Sequence, residues 1–306
     1  MKKDLLAISD LTLQNVESIL KRSAILKQMQ KQGVIHQPLR GKSLGMIFEK
    51  SSTRTRVSFE VGMFQLGGQA LFLSSDATQL GRGEPVADTA RTLSRYLDGI
   101  MIRTFSQSMV EELAKFASIP VINGLTDLHH PCQALADLFT IQEKKGRLKG
   151  LKLVYVGDGN NVAHSLIEAC VKTGMHISLA CPAGYTPNEA ILQAARQDAG
   201  LTNAKIEITP DPYQAMINAD VVYTDVWTSM GQEKEQAKRL KAFKGFEVNH
   251  ALLKVANSAA IVMHCLPAHR GEEISADVID GPQSVIFDQA ENRLHAQKAI
   301  LEMLLS

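Results

Sequence analysis

Short β-branched runs alternate with longer segments of helical spacing along the chain, and this alternation constrains the fold more than any other feature. A clean apolar run at 152–156, for example, is followed by a helical pattern at 162–172. Such alternation is typical of parallel α/β architecture, because a helix must carry the chain back between parallel strands. We therefore predict mostly parallel sheets flanked by helices. The predicted helices are 15–30, 55–66, 85–96, 109–116, 133–145, 162–172, 187–199 and 292–305, and the predicted strands are 43–48, 70–73, 99–103, 121–123, 152–156, 177–180, 205–209, 221–223, 260–263 and 284–287.

The length and the turn pattern indicate two domains. With 306 residues the chain can form two separate cores. A basic, turn-rich segment at 144–150 separates two series of strand and helix patterns, so we expect a first domain at 1–146 and a second at 147–289. The terminal segment 290–306 has a helical pattern, and we expect it to pack back on the first domain.

The charge balance excludes some classes of partner. Lysine and arginine total 33 against 32 aspartates and glutamates, so no net field favours nucleic acid or an anionic membrane. Four widely spaced cysteines show no disulfide framework, which is consistent with a reducing compartment. The first residues include an early acid, Asp4, and no run reaches the about 18 apolar residues of a membrane span. We expect a soluble, cytoplasmic protein without a signal peptide.

The segment 51–56, with the sequence SSTRTR, lies between the apolar run 44–48 and a segment of helical spacing. Apolar residues at Val57, Val61 and Phe64 recur at i, i+4 and i+7, which favours a helix that begins near the serines. Backbone N–H groups at a helix start attract anions, and guanidinium groups bind phosphate oxygens well. The segment therefore predicts a phosphate site, although a simple helix cap would also explain the serines.

Polar clusters follow several of the predicted strands. Because ligands of open parallel sheets gather at the carboxyl ends of the strands, these clusters are expected on the same side of each sheet. We therefore predict an active-site cleft between the two domains. The clusters are 51–56, Arg103, 129–133, 157–161, 225–231 and 264–270.

The sequence GDGNN at 157–161 raises the question of a nucleotide site. It lacks the third glycine of a dinucleotide fingerprint, since His164 and Ser165 occupy that stretch, and the chain has no P-loop lysine motif. A tight turn between strand and helix explains the glycines. We expect no nucleotide cofactor here, although Asn161 at the helix start is placed to orient a carboxylate or an amine.

Histidines and cysteines at 129–132 and 264–269 raise the question of a metal site. Their spacing argues against one, because Pro131 interrupts the first group and neither group has a compact zinc spacing. A neutral His130 that donates a hydrogen bond to a polarised carbonyl is the better interpretation, with Gln133 one helical turn later. For His129, a core histidine is the alternative.

Asp225 closes a predicted strand, and a small loop with the sequence WTSMG follows at 227–231. A carboxylate beside exposed backbone groups suits an ammonium ligand better than a phosphate, but a loop cap explains Asp225 equally well. Cys265 lies at another strand end, where a cysteine is usually inert packing. The HCLP turn at 264–267 weakens that interpretation.

Taken together, these segments resemble the aspartate/ornithine carbamoyltransferase family, in family order and over the full chain. STRTR at 52–56 resembles the carbamoyl phosphate motif of the family, and HPCQ at 130–133 resembles its second motif. Asp225 with SMG at 229–231, and HCLP at 264–267, are similar to the ornithine-specific members. The aspartate-specific members are expected to carry a PLPR-type segment in the last position.

The resemblance implies transfer of the carbamoyl group of carbamoyl phosphate to the δ-amine of L-ornithine, which gives L-citrulline and phosphate. The expected setting is arginine biosynthesis, without a metal or a cofactor. A homotrimer or an assembly of trimers is implied, with active sites near subunit contacts. Other acceptors such as putrescine or acetylornithine, a non-catalytic anion-binding paralogue, and a nicotinamide-dependent dehydrogenase as the fold-level reading remain alternatives.

The resemblance also implies site residues, which fall into three groups. Those expected to bind carbamoyl phosphate are Ser52, Thr53, Arg54, Thr55, Gln79, Arg103, His130, Pro131, Cys132, Gln133, Cys265, Leu266 and Arg293. Those expected to bind ornithine are Asn161, Asp225, Ser229 and Met230. Catalytic roles are expected for Arg54, Arg103, His130, Asp225 and Cys265, with the last two positioning the δ-amine while it loses a proton.

Overall fold

The structure, a computed structural model, describes residues 3–74, 79, 81 and 83–306. Contacts divide the chain into two compact units, Met1–Phe139 together with Glu291–Ser306, and Thr140–Ala290. The division falls within two helices, Pro131–Lys145 and Ile286–Leu305. The bounds expected from the sequence, 1–146, 147–289 and 290–306, lie close to these positions.

The first unit is built on a four-stranded parallel sheet. Its strands are β1 (Ser43–Phe48), β2 (Gln69–Ser74), β3 (Gly99–Arg103) and β4 (Val121–Leu125), and its helices are α1 (Leu13–Lys31), α2 (Thr53–Gln65), α3 (Val86–Leu93), α4 (Gln107–Phe116) and the first part of α5 (Pro131–Lys145). The strand order is β2-β1-β3-β4. Ile47, Ile100, Ile102, Val110 and Leu113 belong to one of its buried apolar clusters.

The second unit contains a five-stranded parallel sheet. Its strands are β5 (Lys152–Val156), β6 (His176–Ala180), β7 (Ile206–Thr209), β8 (Val221–Thr224) and β9 (Ile261–His264), and its helices after α5 are α6 (Asn161–Thr173), α7 (Glu189–Thr202), α8 (Pro212–Met216), α9 (Gln236–Ala242), α10 (His250–Leu253) and α11 (Ala276–Ile279). The last helix, α12 (Ile286–Leu305), begins in this unit, but most of its residues belong to the first. The strand order is β7-β6-β5-β8-β9. Val154, Val156, Val222, Phe243 and Val262 are part of its core.

The predicted fold class, two mostly parallel sheets flanked by helices, is confirmed, since all strand pairs of both sheets are parallel. Strands β1, β3 and β5 have the predicted bounds. The cleft between the domains stays a prediction.

The predicted strand 284–287 is wrong. Ser284 forms one isolated bridge with Val262, and α12 already begins at Ile286. The short apolar run from Val285 to Phe287 does not distinguish a buried strand from the first turn of a helix. The helix is favoured here because the N–H of Gln289 donates to the carbonyl of Val285 at 2.8 Å.

The glycines of the GDGNN segment are required by the turn between β5 and α6. Gly157 has a φ of +149°. A Cβ at Gly159 would lie 2.2 Å from the backbone nitrogen of Pro187, closer than any side chain can approach. The next residue, Asn160, caps α6, because its Oδ1 accepts the N–H groups of Val162 and Ala163. The turn itself therefore explains this glycine pattern.

Among the described residues, none of the helices combines the length and the apolar character that crossing a membrane requires.

Candidate active site

Each sheet has one position where the strand order reverses. In the first sheet it lies between β1 and β3, and in the second between β5 and β8. Ligands of open α/β sheets bind beyond the carboxyl ends of the strands at such positions. Two groups of residues, most of them polar, lie in the segments that follow these strands or are in contact with those segments. We call Ser52, Thr53, Arg54, Thr55, Arg103, His130, Gln133 and Arg293 the arginine half-site, and Asn160, Asn161, Asp225, Ser229, Met230, Cys265 and Leu266 the carboxylate half-site.

Helix α2 begins directly after Ser52, which caps it. The Oγ of Ser52 accepts the N–H of Thr55 at 3.2 Å and donates to the Oγ1 of Thr55 at 3.1 Å. Thr53 and Arg54 form the first turn, where backbone N–H groups have no partner within the helix. This is the geometry of an anion site, as the SSTRTR segment predicts.

Arg293 comes to this helix start from the part of α12 that lies in the first unit. Its Nη2 donates to the Oγ1 of Thr55 at 2.8 Å, although the two residues are 238 positions apart in the chain. Both side chains are buried. The fold thus adds a guanidinium to a segment that already carries Arg54.

His130 is buried near three guanidinium groups. Burial lowers its pKa well below the usual histidine value, and the charges of Arg293, Arg103 and Arg54 lower it further. The imidazole is therefore neutral near pH 7 and offers one N–H donor. A neutral donor beside fixed positive charges is suited to stabilise negative charge on an oxygen.

Gln133 lies in the first turn of α5. Its Nε2 donates to the Oδ1 of Asp137 at 2.9 Å, which fixes the orientation of the amide. The Oε1 of Gln133 is buried and accepts no hydrogen bond from any residue that the structure describes. Because an unsatisfied buried acceptor is costly, this oxygen is suited to accept an N–H group of a ligand.

Pro131 and Cys132 serve the start of α5. Pro131 is the first residue of the helix, where its fixed φ is favourable. The Sγ of Cys132 donates to the carbonyl of Asn123 at 3.4 Å, and burial raises the pKa of this thiol to about 12. Cys132 is therefore a neutral thiol near pH 7 and not a nucleophile.

Gln79 and Arg56 lie outside the arginine half-site. Gln79 is exposed between β2 and α3, and its carbonyl accepts the N–H of Glu84 at 3.0 Å. Arg56, the last residue of the SSTRTR segment, pairs with Glu60 at 3.0 Å and lies over the ring of Phe72. Among the residues that the structure describes, neither side chain forms a hydrogen bond with the half-site, and the role of Gln79 stays a prediction.

Asp225 is the centre of the carboxylate half-site. It directly follows β8 and is buried. Its Oδ1 accepts the Sγ–H of Cys265 at 3.0 Å, and its Oδ2 accepts the Nδ2–H of Asn160 at 2.9 Å. The structure thus joins the segments after β5, β8 and β9 at one carboxylate.

Leu266 and Asn161 border this carboxylate group. Leu266 follows Cys265 with a φ of +60°, a conformation that L-residues adopt rarely. Its N–H donates to the Nδ1 of His264 at 2.8 Å. Asn161 is the first residue of α6, next to the capping Asn160.

Ser229 and Met230 lie in the loop after β8. The carbonyl of Ser229 accepts the N–H of Gln232 at 3.0 Å, and Met230 is 46% exposed. Within the described part of the chain, neither residue is hydrogen-bonded to Asp225, so their contact with a ligand stays a prediction.

Sequence reasoning gave no role to Asn160, Asp158 or Arg239, although the first two lie in the predicted polar cluster 157–161. The Nη1 of Arg239, in α9, donates to the Oδ2 of Asp158 at 2.6 Å and to the carbonyl of Trp227 at 2.9 Å. This buried pair ties the loop after β8 to the turn after β5. The position of Asn160 before a helical pattern was a usable signal, since asparagine is favoured at that cap. Nothing in the sequence distinguishes Arg239 from a surface arginine.

The histidines and cysteines considered for a metal fall into separate groups. His129 is buried, and its backbone N–H donates to the Oγ1 of Thr126 at 3.0 Å. In the second unit, ligand atoms of Asp225, His264 and Cys265 lie within 4.8 Å of one another. Both ring nitrogens of His264 already have partners, however, and the thiol of Cys265 donates to Asp225. In this arrangement the three residues form a hydrogen-bonded group.

Comparison with known proteins gives the same family for both parts of the chain. Residues 3–143 match the description "Aspartate/ornithine carbamoyltransferase, carbamoyl-P binding domain", and residues 149–304 match "Aspartate/ornithine carbamoyltransferase, Asp/Orn binding domain". The ornithine carbamoyltransferase of Syntrophus aciditrophicus (strain SB) is 62% identical over 100% of both chains. That of Oceanobacillus iheyensis is 60% identical, over 99% of this chain and 94% of the relative. The solved structure of ornithine carbamoyltransferase from Pyrococcus furiosus is similar with a TM-score of 0.96 at 56% identity, over 99% of this chain and 96% of the other.

Proposed function

The chain belongs to the aspartate/ornithine carbamoyltransferase family, and from that premise we propose how its two half-sites divide the reaction. It transfers the carbamoyl group of carbamoyl phosphate to the δ-amine of L-ornithine, which gives L-citrulline and phosphate. The proposal concerns the residues that perform each step.

Carbamoyl phosphate binds to the arginine half-site. The start of α2 and the guanidinium groups of Arg54 and Arg103 bind the phosphate oxygens, because both kinds of donor match a phosphate. The neutral imidazole of His130 donates to the carbamoyl oxygen, which its lowered pKa supports. The Oε1 of Gln133 accepts an N–H of the carbamoyl amide, which its lack of a described partner supports. The phosphate site is completed by Ser52, Thr53, Thr55 and Arg293.

Ornithine binds to the carboxylate half-site. The carboxylate of Asp225 binds an amine group of the substrate, because hydrogen bonds fix the orientation of both of its oxygens. Asn161, Ser229 and Met230 hold the amino-acid end. Cys265 lies against Asp225 and positions the δ-nitrogen, and Leu266 lies next to it.

The reaction forms one bond and breaks another. An aliphatic ammonium has a pKa of about 10, so the δ-ammonium must first lose a proton at neutral pH. The δ-nitrogen then attacks the carbamoyl carbon, and negative charge develops on the carbonyl oxygen. The bond from carbon to the phosphate oxygen breaks, and a second proton of the nitrogen passes to the departing phosphate. A preorganised donor such as His130 is typically worth about 3 kcal/mol in this step. Cys265 and Asp225 hold the nitrogen while its proton leaves.

The contact between Cys265 and Asp225 supports an amine acceptor, because a fixed carboxylate beside a thiol suits an amine better than an anion. The test offers ornithine, putrescine, acetylornithine and aspartate in parallel, each with carbamoyl phosphate. We expect a carbamoylated product with ornithine and at least about a hundredfold lower kcat/KM with the others, because a site built for a charged group leaves that group unpaired with the wrong substrate.

Two results would contradict this assignment. A higher kcat/KM with putrescine or acetylornithine would move the acceptor away from a free α-amino acid. No product with any acceptor, together with measurable binding of phosphate, would favour a non-catalytic anion-binding protein.

We also propose a homotrimer that works in the cytoplasm in the biosynthetic direction. Two apolar side chains of α2, Val57 and Phe64, are 49% and 77% exposed, which supports burial against another subunit. Light scattering should then give three times the 33.5 kDa chain mass, or a multiple of that value. A monomer mass would contradict the trimer. If the protein did not support growth of its host without arginine, the biosynthetic direction would be contradicted.

A further inference from the structure

The segment after β9 is held by a buried carboxylate that the proposed reaction does not use. Glu273 is fully buried, and its Oε1 lies 3.1 Å from the Nε2 of His264, which is also buried. The same Oε1 accepts the N–H of His269 at 2.6 Å. One carboxylate oxygen therefore fixes both ends of the segment 264–269.

The hydrogen bonds of His264 define its protonation state. Its Nδ1 accepts the N–H of Leu266 at 2.8 Å, and a backbone N–H can only donate. Nδ1 must therefore carry a lone pair, and the ring proton is on Nε2, where it donates to Glu273. Glu273 selects this tautomer, and the tautomer in turn provides the acceptor that Leu266 needs.

The backbone that these bonds hold is unfavourable by itself. Leu266 has a φ of +60°, a left-handed conformation that a branched L-residue rarely adopts without compensating contacts. Cys265 lies between His264 and Leu266, and its thiol reaches Asp225 at 3.0 Å. The position of this thiol therefore depends on the turn that His264 and Glu273 maintain.

Glu273 also has a buried oxygen that does not take part in these hydrogen bonds. Its Oε2 is buried and has no hydrogen-bond partner among the residues that the structure describes. A buried carboxylate with one unsatisfied oxygen is destabilising compared with a neutral residue. Such a group is expected where it fixes one arrangement against the alternatives.

We propose that Glu273 and His264 are a pair of positioning residues that orient Cys265 and Leu266 toward the acceptor in the carboxylate half-site. This inference rests on the proposed function, because it assigns the pair to the ornithine side of that reaction. Glu273 acts through His264 and does not contact the substrate.

The kinetic test uses Glu273→Gln, His264→Asn and the double variant. In His264→Asn the amide oxygen still accepts the N–H of Leu266, but the side chain no longer reaches Glu273. We expect each single variant to lower kcat/KM for ornithine about tenfold, the size of one hydrogen bond to a charged group, and to leave KM for carbamoyl phosphate within about twofold. Because the two residues act as one unit, the double variant should lose no more than either single variant.

The matched control is Glu272→Gln. It removes the same charge from the neighbouring residue. Glu272 is partly exposed, and its contact with the Nδ1 of His269 is long, at 3.7 Å. It should keep the wild-type kcat and both KM values. Thermal unfolding separates positioning from unfolding, since a variant that folds keeps a cooperative transition.

A second readout needs no turnover. Cys265 is only partly buried, whereas the other three cysteines are buried, so iodoacetamide should react with Cys265 first. We expect alkylation several-fold faster in Glu273→Gln and His264→Asn, and unchanged in Glu272→Gln.

Wild-type kinetics and wild-type alkylation in both single variants, or additive losses in the double variant, would overturn the proposal. A wild-type protein that forms no citrulline would overturn the proposed function, and the alkylation rates would still test the positioning pair.

Discussion

The arginine half-site and the carboxylate half-site carry opposite charge. The first surrounds a neutral imidazole with the charges of Arg54, Arg103 and Arg293. The second centres on Asp225, whose two oxygens accept a thiol and an amide. Positive charge around a neutral donor suits a phosphate and a developing oxyanion, whereas a fixed carboxylate suits an amine. Each half should therefore control the kinetics of one substrate and spare the other.

The two halves also differ in what holds them. Residues of the arginine half-site lie at the starts of α2 and α5, at the end of β3 and on α12, so helices and strands fix their positions. Residues of the carboxylate half-site lie mainly in the turns and loops after β5, β8 and β9. Loops open more easily than helices, so this half depends on buried polar contacts such as that between Arg239 and Asp158.

The largest effect is expected from Arg54→Ala in the arginine half-site. On the proposed assignment, this variant loses a charge that binds phosphate and stabilises its departure, so kcat should fall by about a hundred- to a thousandfold. The fold should remain, as measured by circular dichroism and urea unfolding. The control is Arg91→Ala, since Arg91 is exposed and pairs with Asp88 on the surface of α3. Near-normal kcat in Arg54→Ala would contradict the phosphate assignment.

The second-largest effect is expected on the free energy of unfolding, from a variant near the carboxylate half-site. Arg239→Gln leaves Asp158 buried without its partner, and breaking such a pair typically costs about 3 kcal/mol or more. Urea unfolding should report this loss, and Asp158→Asn combined with Arg239→Gln should recover part of it. Arg196→Gln removes an arginine from an exposed pair with Glu189 and should change stability by less than about 0.5 kcal/mol. Equal effects of the two arginine variants would show that the loop does not depend on the buried pair.

Cys265→Ser should separate the two substrates. Serine keeps a donor near Asp225 but changes its length and acidity, so kcat/KM for ornithine should fall by about 10- to 100-fold while KM for carbamoyl phosphate is unchanged. The pH–rate profile should change as well if the thiol has its proposed role of holding the nitrogen while it loses its proton. An unchanged profile would count strongly against this role, and a matching rise in KM for carbamoyl phosphate would break the division between the halves.

The contrast between the halves also explains what could be predicted from the sequence. The arginine half-site was visible because SSTRTR and HPCQ are contiguous and lie at helix starts. The fold class was visible because largely buried strands such as β3 and β5 contain nearly continuous apolar runs.

Other features need tertiary packing. The spacing of Val57, Val61 and Phe64 correctly indicated a helix, but Val57 and Phe64 are on its exposed face, while Phe59 and Met63 are buried. Periodicity finds an apolar face and does not say what covers it. Glu273 and Arg239 were missed because single charged residues carry no pattern until the fold buries them. The strand at 284–287 was wrong because three apolar residues fit both a strand and a helix start.

The smallest effect is a pH dependence that belongs to the arginine half-site. Burial and the nearby arginines hold the pKa of His130 well below 6.5 in the folded protein, while the unfolded chain has the ordinary value. Below about pH 6.5 the unfolded state therefore binds a proton that the folded state does not, and stability falls as pH falls. His130→Asn removes this titration, so its unfolding midpoint in urea should fall less between pH 7.5 and pH 5 than that of the wild type. His295, whose pKa burial lowers to about 4, contributes in the same direction and should leave a residual slope. An equal slope in His130→Asn would mean that the imidazole is not held neutral by its arginines, and the electrostatic contrast between the two half-sites would lose its main support.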